Sequence, residues 1–204
     1  MPIPTSELQK TNPSAVIELF VLQLDSDLHG TNTGIPTANN ETNIFRFHNG
    51  TDAVTTGVNA FNEIHWNGKV YARLPIQASG FEKGGTQNAR PTLTVSNLFG
   101  TFSTILANVN TTTNGNDLTG ATLTRIRTLL RYLPNDNFTG NNPYGTPDNT
   151  QEFDQDIFTV NRKSLESRTI CQFELANSID QQGIKLPKRR FLPDEFKGIG
   201  DFFS

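Results

Sequence analysis

Cysteine and long apolar runs are the two features most clearly missing from this sequence. Its single cysteine, Cys171, cannot build a disulfide framework or a cysteine metal cluster. The alternating segment RTICQFELA predicts that Cys171 is a small buried hydrophobic side chain. No stretch approaches the ~18 consecutive apolar residues of a membrane span, and the N-terminus MPIPTSELQK lacks a basic and then apolar signal segment. We therefore expect a chain that is made in the cytosol and does not insert into a membrane.

An excess of charge of either sign is also missing. The 17 Lys and Arg residues nearly balance the 20 Asp and Glu residues, which gives a net charge of -3 at pH 7. The composition therefore gives no reason to expect a nucleic-acid partner. Apolar residues make up only 34% of the 204 residues, but 15 Phe residues add large side chains for a core. These values fit one globular domain of ordinary size.

Two hairpins are the clearest local predictions. In the first, Asn67 and Gly68 join two alternating runs, residues 64–66 and 69–74, and this dipeptide tolerates the positive φ angles of a type I′ turn. The second is ASGFEKGGTQNARPTLTVSN, residues 78–97, where the glycine pair supplies the bend and the proline begins the returning strand. No residue at its tip is an obvious catalytic group, so the sequence gives no reason to assign this hairpin to an active site.

The remaining pattern is that of a β-rich domain. Alternation of apolar and polar residues predicts further strands over residues 15–24, 43–48, 121–133, 157–161 and 168–176. Apolar spacing predicts one short helix over residues 102–110, and a dense run of turn formers predicts a long loop over residues 134–151. Together these segments predict a mainly β fold, similar to a barrel or a sandwich, with about seven or eight strands and one short helix.

A basic stripe runs along one face of the predicted strand over residues 121–133. It consists of Arg125, Arg127 and Arg131, and guanidinium groups in such a row suit bidentate pairing with carboxylates. Acidic residues alternate in a complementary way in QEFDQD, at Glu152, Asp154 and Asp156. We expect pairing of this kind, within or between chains, rather than catalysis.

Candidate catalytic groups are few. Asp25, Asp27 and His29 would lie on one face of an extended strand, as a metal site requires, but polar residues are also expected where a strand ends. His48 and His65 fall on separate predicted strands, without a G-x-S-x-G elbow, an H-E-x-x-H motif or a phosphate-binding glycine loop to recruit them. We therefore expect a protein that is not an enzyme.

The two hairpins also carry a family resemblance. The segment EIHWNGKVYARLPIQASGFEKGGTQNARPTLTVSNLFG, residues 63–100, resembles the phage minor tail protein L family, which consists of tail-tip proteins of lambda-like siphophages. The matching positions are Trp66, Gly68, Tyr71, Pro75, Ile76, Gly80, Phe81, Glu82, Gly84, Gly85, Thr86 and Arg90 through Leu98. Weaker matches extend the resemblance over most of the chain.

The resemblance implies a structural protein of the phage tail tip. Family membership implies a β-rich hub domain in a trimeric ring, located between the distal tail protein and the central receptor-binding fibre protein, with the tape measure protein as a further possible partner. The protein would be assembled in the host cytoplasm and then reside in the virion. Neither sequence-specific contact with nucleic acid nor insertion into a membrane is expected.

The resemblance also divides the chain and suggests its contact residues. We expect a hub domain over residues 1–190 and an aromatic arm over residues 191–204. Lambda-like members carry a C-terminal extension whose cysteines hold an iron–sulfur cluster, but Cys171 alone cannot supply the several thiolates needed, so no cofactor is expected. The predicted interface residues are Lys83, Gly84, Gly85, Arg90, Arg125, Arg127, Arg131, Phe191, Phe196, Phe202 and Phe203.

Two other classes of function stay open at this point. A carbohydrate- or ligand-binding β-sandwich would use exposed aromatic rings, for which the candidates are Trp66, Tyr71, Tyr132 and Tyr144. A hydrolase would use a metal ion at Asp25, Asp27 and His29. Ring exposure decides the first alternative, and the geometry of the three polar side chains decides the second.

Overall fold

The computed structural model describes residues 7, 9–31, 41–49, 63–81, 90–97 and 100–177. Within these ranges the chain is mainly β, as predicted. The strands are β1 (Val16–Gln23), β2 (Ile44–His48), β3 (Ile64–Trp66), β4 (Lys69–Arg73), β5 (Ile76–Ser79), β6 (Thr92–Ser96), β7 (Thr122–Leu129), β8 (Asp156–Glu166) and β9 (Ile170–Ala176). The helices are α1 (Ser26–His29) and α2 (Thr101–Thr112). The predicted count of seven or eight strands was thus too low, whereas the one short helix expected is present as α2, and α1 is a single turn of four residues.

The nine described strands form one sheet, in the order β3-β4-β2-β1-β7-β8-β9-β6-β5. Only Leu74 and Pro75 separate β4 from β5, yet these strands occupy the second and the last places in that order. The sheet must therefore curl so that its two ends approach each other. It is not a closed barrel, since β5 pairs with β6 on one side and no ladder joins β5 to β4 within the described ranges.

Both predicted hairpins are present. β3 and β4 pair with Trp66 opposite Lys69, and Asn67 and Gly68 have φ angles of 49° and 69°, as a type I′ turn requires. β5 and β6 pair from Ile76 opposite Val95 to Ser79 opposite Thr92. The tip of this second hairpin lies outside the described residues.

The inner face of the sheet carries the main core, which α2 covers. Phe102, Ile105, Leu106 and Val109 of this helix are buried against the sheet, which confirms the helix predicted from their spacing. Phe102 makes an edge contact with Phe47, with 6.4 Å between ring centroids. Cys171 is fully buried in the same cluster, as predicted, and its burial raises the pKa of its thiol to about 11.

A second core lies on the outer face and is covered by the long loop after β7. Trp66 is buried there, and its indole N–H donates to Oε1 of the buried Glu152 at 2.7 Å. The loop also contacts β3, the edge strand with which the sheet order begins. There the N–H of His65 donates to Oδ1 of Asn137 at 2.7 Å. The Nδ2 of Asn137 in turn donates to the His65 carbonyl at 2.9 Å. This amide therefore pairs with β3 in the manner of a neighbouring strand.

β8 is longer than the predicted strand over residues 157–161. Its first residues, from Asp156 to Thr159, pair with β7, and from Thr159 onward it pairs with β9. Register shifts fall between Val160 and Arg162 and again between Lys163 and Leu165. Because of these irregularities and the exposed polar residues beyond Val160, the sequence of this part of β8 does not alternate between apolar and polar residues, so the pattern did not predict it.

Candidate assembly surface

The predicted basic stripe is divided by the end of β7. Arg125 and Arg127 lie on this strand and point to its inner face, on the side of the buried Leu123. β7 ends at Leu129, and Arg131 lies in a 3₁₀ turn, Leu130–Tyr132. The strand predicted over residues 121–133 therefore extended four residues too far at its carboxyl end, and Arg131 does not continue the row.

Arg125 and Arg127 pair with carboxylates of their own chain. Their guanidinium groups lie 3.6 and 3.3 Å from Oδ2 of Asp156, which is buried on β8, and Arg125 also forms an ion pair with Glu18 on β1. The prediction of Arg–carboxylate pairing is confirmed for Asp156. Sequence analysis missed Glu18 as a partner, because the contact depends on the pairing of β1 with β7, which alternation does not specify.

The other two predicted carboxylate partners have different contacts. Glu152 accepts hydrogen bonds from Trp66 and from Gln155, and so belongs to the outer core. Asp154 meets the stripe only through its main-chain oxygen, which accepts from Arg127 at 3.4 Å. Neither Glu152 nor Asp154 is a side-chain partner of the stripe within the described part of this chain, and pairing of Asp154 between chains stays a prediction.

An open cleft of about 630 Å³ lies beside the two arginines. Its lining residues are Ala78, Ser79, Gly80, Phe81, Arg125, Arg127 and Asp156. The Arg125 guanidinium lies 4.8 Å from the centre of the Phe81 ring, and that of Arg127 lies 5.6 Å from the centre of the Phe153 ring. The cleft, hereafter the arginine cleft, therefore offers guanidinium groups that lie over aromatic rings.

Arg131 serves a separate purpose, because it holds the N-terminal segment. It forms an ion pair with the buried Glu7, and its main-chain N–H donates to Oγ of Ser14 at 3.2 Å. A hydrogen bond from Lys10 and the charge of Arg131 lower the pKa of Glu7, against the opposing effect of burial. This contact is structural, and sequence analysis had not linked Glu7 to Arg131.

Of the other predicted interface residues, the structure describes Arg90. Arg90 precedes β6, and a hydrogen bond from Arg162 together with the charge of Arg90 lowers the pKa of Glu174. Seven predicted interface residues lie outside the described part of the chain: Lys83, Gly84, Gly85, Phe191, Phe196, Phe202 and Phe203. The hairpin that would carry the first three leaves the described chain at Phe81, in the wall of the arginine cleft.

The proposed metal site is wrong. Asp25 is the N-cap of α1, where its Oδ1 accepts from the N–H of Asp27 at 2.8 Å, so these residues form a helical turn and not an extended strand. His29 is fully buried, and its Nε2 lies 3.0 Å from the Thr119 carbonyl. No group of three metal-ligating side chains occurs in the ranges that the structure describes.

The aromatic residues do not form a platform for sugar stacking. Trp66 and Tyr71 are buried at 1% and 3% exposure, and burial raises the pKa of the Tyr71 hydroxyl. Tyr132 is partly buried against the outer core, whereas Tyr144 is 54% exposed. One exposed ring among these four gives the ligand-binding alternative little support. Furthermore, no described helix has the length and apolar character needed to cross a membrane.

Comparison with known proteins agrees with the resemblance carried by the hairpins. The family model for phage minor tail protein L matches residues 37–197, which is most of the chain. Tail tip protein L of Escherichia phage lambda is 31% identical over 133 residues, which cover 63% of this chain and 52% of that protein. The chain thus spans about half the length of this relative. It belongs to the phage minor tail protein L family and is a minor tail protein of a phage.

Proposed function

We propose that this protein forms a ring in the tail tip, where it connects the distal tail protein with the central receptor-binding fibre protein. The observation that carries this proposal is the family match, because it spans both hairpins and every strand from β3 onward. The relative in phage lambda is itself named a tail tip protein. A trimeric ring, assembled in the host cytoplasm and retained in the virion, is the arrangement that the family suggests, and it requires no catalysis.

The β5–β6 hairpin is the part of the fold best suited to join neighbouring copies. Within the described part of the chain, β5 is the last strand of the sheet and has a ladder partner on one side only, while Asn137 covers β3 at the other end. A ring can close by pairing such an edge with the next copy, which removes it from solvent. In this proposal Lys83, Gly84, Gly85 and Arg90 contact the neighbouring copy.

The arginine cleft adds a second surface beside the same hairpin. Arg125 and Arg127 can pair with a carboxylate that enters the cleft, because their own partners, Glu18 and Asp156, occupy only part of their donor sets. Arg131 lies elsewhere and supports the interface by fixing the N-terminal segment.

We further propose two functional parts in this chain. Residues 1–190 form the hub, and residues 191–204 form an arm that contacts the central fibre protein. The tape measure protein is a possible neighbour inside the ring. Deleting residues 192–204 should leave a folded hub that no longer co-purifies with the fibre protein, and unchanged co-purification would refute this role of the arm.

The location is tested by immunogold labelling of intact particles and isolated tail-tip complexes with an antibody against this chain. Gold confined to the tail tip is the expected result. Gold along the whole tail tube, or the protein found only in the soluble lysate, would contradict the proposal.

The assembly surface is tested by native mass spectrometry of complexes formed with the distal tail protein. Lys83→Glu with Arg90→Glu should abolish the multi-copy complex, because both changes reverse charge on the proposed contact. Arg162→Glu is the matched control, since Arg162 is an exposed arginine whose partner, Glu174, is in the same chain. Equal loss of assembly in both proteins would show that the hairpin has no special role.

A further inference from the structure

The arginine cleft lies beside the point where the described chain leaves the sheet. β9 pairs with β8 only from Thr159 onward, and its last residue, Ala176, is the partner of Thr159. β8 begins three residues earlier at Asp156, which lines the cleft. Because β9 runs antiparallel to β8, the carboxyl end of β9 at Ala176 points along β8 toward Asp156.

Two arginines that line the cleft each have one buried side-chain donor without an acceptor in the described part of the chain. The Nε atoms of Arg125 and Arg127 are buried and have no hydrogen-bond acceptor among the described residues. A buried donor without an acceptor costs free energy, so such a group indicates a partner still to be placed. The partner has to be an acceptor, and carboxylates are the acceptors that guanidinium groups bind most strongly.

One segment of the chain has the matching composition. The sequence FLPDEF, residues 191–196, places Asp194 and Glu195 between Phe191 and Phe196. Its carboxylates match the guanidinium groups of the cleft, and its phenylalanines match the aromatic wall at Phe81. This segment therefore combines both chemistries that the cleft presents.

We infer that residues 191–196 bind in the arginine cleft of their own chain. Residues 178–190 connect Asn177 to this segment, and a fully extended chain of that length spans about 45 Å. The distance to be covered is much shorter, because Asp156 is only three positions from Thr159 along β8. A short tether also gives an effective concentration in the millimolar range, which favours the chain's own cleft over that of another copy. Of the proposed arm, residues 197–204 with Phe202 and Phe203 then remain to contact an external partner, whereas Phe191 and Phe196 bind within the chain. The inference does not depend on the role in the tail.

Cysteine cross-linking of the isolated full-length protein tests this arrangement. Ser79→Cys is placed in the cleft wall and Leu192→Cys in the segment, since Ser79 is exposed and Leu192 is neither an aromatic nor an acidic residue of the motif. Cys171 is fully buried and stays silent, which each single variant verifies. Mild oxidation should produce an intrachain disulfide, seen as a faster-migrating monomer on a non-reducing gel.

The matched control moves the first cysteine to Ala107→Cys, on the exposed side of α2 and outside the cleft. We expect the cleft pair to cross-link about tenfold faster than the control pair, which reports only random encounters of a tethered chain. Adding Asp194→Asn with Glu195→Gln, or Phe191→Ser with Phe196→Ser, should reduce the cleft rate to the control rate.

Three results would overturn the inference. Equal rates for the cleft and control pairs would show that the segment has no preferred site. Rates unaffected by both sets of segment substitutions would show that its carboxylates and rings do not bind. A disulfide-linked dimer as the main product would place the segment in the cleft of another copy. Emission from Trp66 verifies that each variant is folded, because it is the chain's only tryptophan and is buried.

Discussion

Substitution of Asn137 tests whether one side chain holds the β3 end of the sheet. Its amide accepts from the N–H of His65 and donates to the carbonyls of His65 and Pro134, at 2.7, 2.9 and 3.0 Å. The residue is only 4% exposed. Asn137→Ala therefore removes three hydrogen bonds from a largely dry site.

The expected loss follows from these contacts. A hydrogen bond contributes about 1 kcal/mol net, and water can partly replace the lost partner at the half-buried His65, so we expect a decrease of about 2 kcal/mol in the free energy of unfolding. For a chain of this size that corresponds to a fall of roughly 4–8 °C in Tm. Asn137→Asp should be no better than Asn137→Ala, because it keeps the acceptor but brings a carboxylate against two carbonyl oxygens.

Urea unfolding, followed by the fluorescence of Trp66, measures the effect. Asn141→Ala is the control, since Asn141 is an exposed asparagine in the same loop, and its substitution should change stability by less than about 0.5 kcal/mol. Native-state hydrogen exchange should also show faster exchange of the His65 amide in Asn137→Ala. If the unfolding midpoints of Asn137→Ala and Asn141→Ala coincide, Asn137 does not stabilise the edge.

Three further predictions concern buried groups. The Cys171 thiol should not react with iodoacetamide at pH 8 until the protein unfolds. Because burial raises the pKa of this thiol from its ordinary 9.0 to about 11 in the folded protein, the free energy of unfolding should fall as the pH rises from 9 toward 11, measured by urea titration. Glu152→Ala should lower the free energy of unfolding by about 2 kcal/mol and shift Trp66 emission, while Glu152→Gln keeps an acceptor for the indole N–H and should cost less than half as much. Gly145→Ala should cost about 1 kcal/mol in thermal unfolding, because its Cβ would lie 3.1 Å from the main-chain oxygen of Arg131; an unchanged Tm would mean that the loop shifts freely.

Local chemistry made the first hairpin predictable from sequence. A type I′ turn requires positive φ at both of its central residues, and Asn67 and Gly68 are residues that adopt such angles readily. This dipeptide between two alternating runs therefore predicts a hairpin. The alternation of the first strand predicted β1 equally well. It could not predict that β1 pairs with β7, because a period of two residues specifies the faces of a strand and not its neighbours.

The same limit explains the error at Arg131. Alternation continues through Leu130 and Tyr132, so the sequence alone favours a strand to residue 133. In the folded protein Nδ2 of Asn142 donates to the carbonyls of Leu130, Arg131 and Leu133, which stabilises a 3₁₀ turn instead. A side chain from a distant part of the loop thus overrides the local pattern.

The arginine cleft was only half predictable. The sequence showed Arg125, Arg127 and a complementary Asp156, which lie on two strands that follow each other in the chain and pair. It did not show Phe81, because this residue reaches the cleft only through the curl of the whole sheet. A site whose residues come together through the curvature of the sheet cannot be predicted from the alternation of neighbouring residues in the sequence.

The pairing of β1 with β7 has a consequence for how the protein is made. Leu19 on β1 lies opposite Ile126 on β7, so one of the two neighbours of this central strand is missing until more than half of the chain has been synthesised, although β2 on its other side follows early. Such distant pairings make folding slow, and they leave an apolar strand open to other chains in the meantime. Nascent chains that stall before residue 122 should therefore aggregate or bind chaperones, and the yield of native protein should depend more on the rate of synthesis than on the stability of the finished sheet.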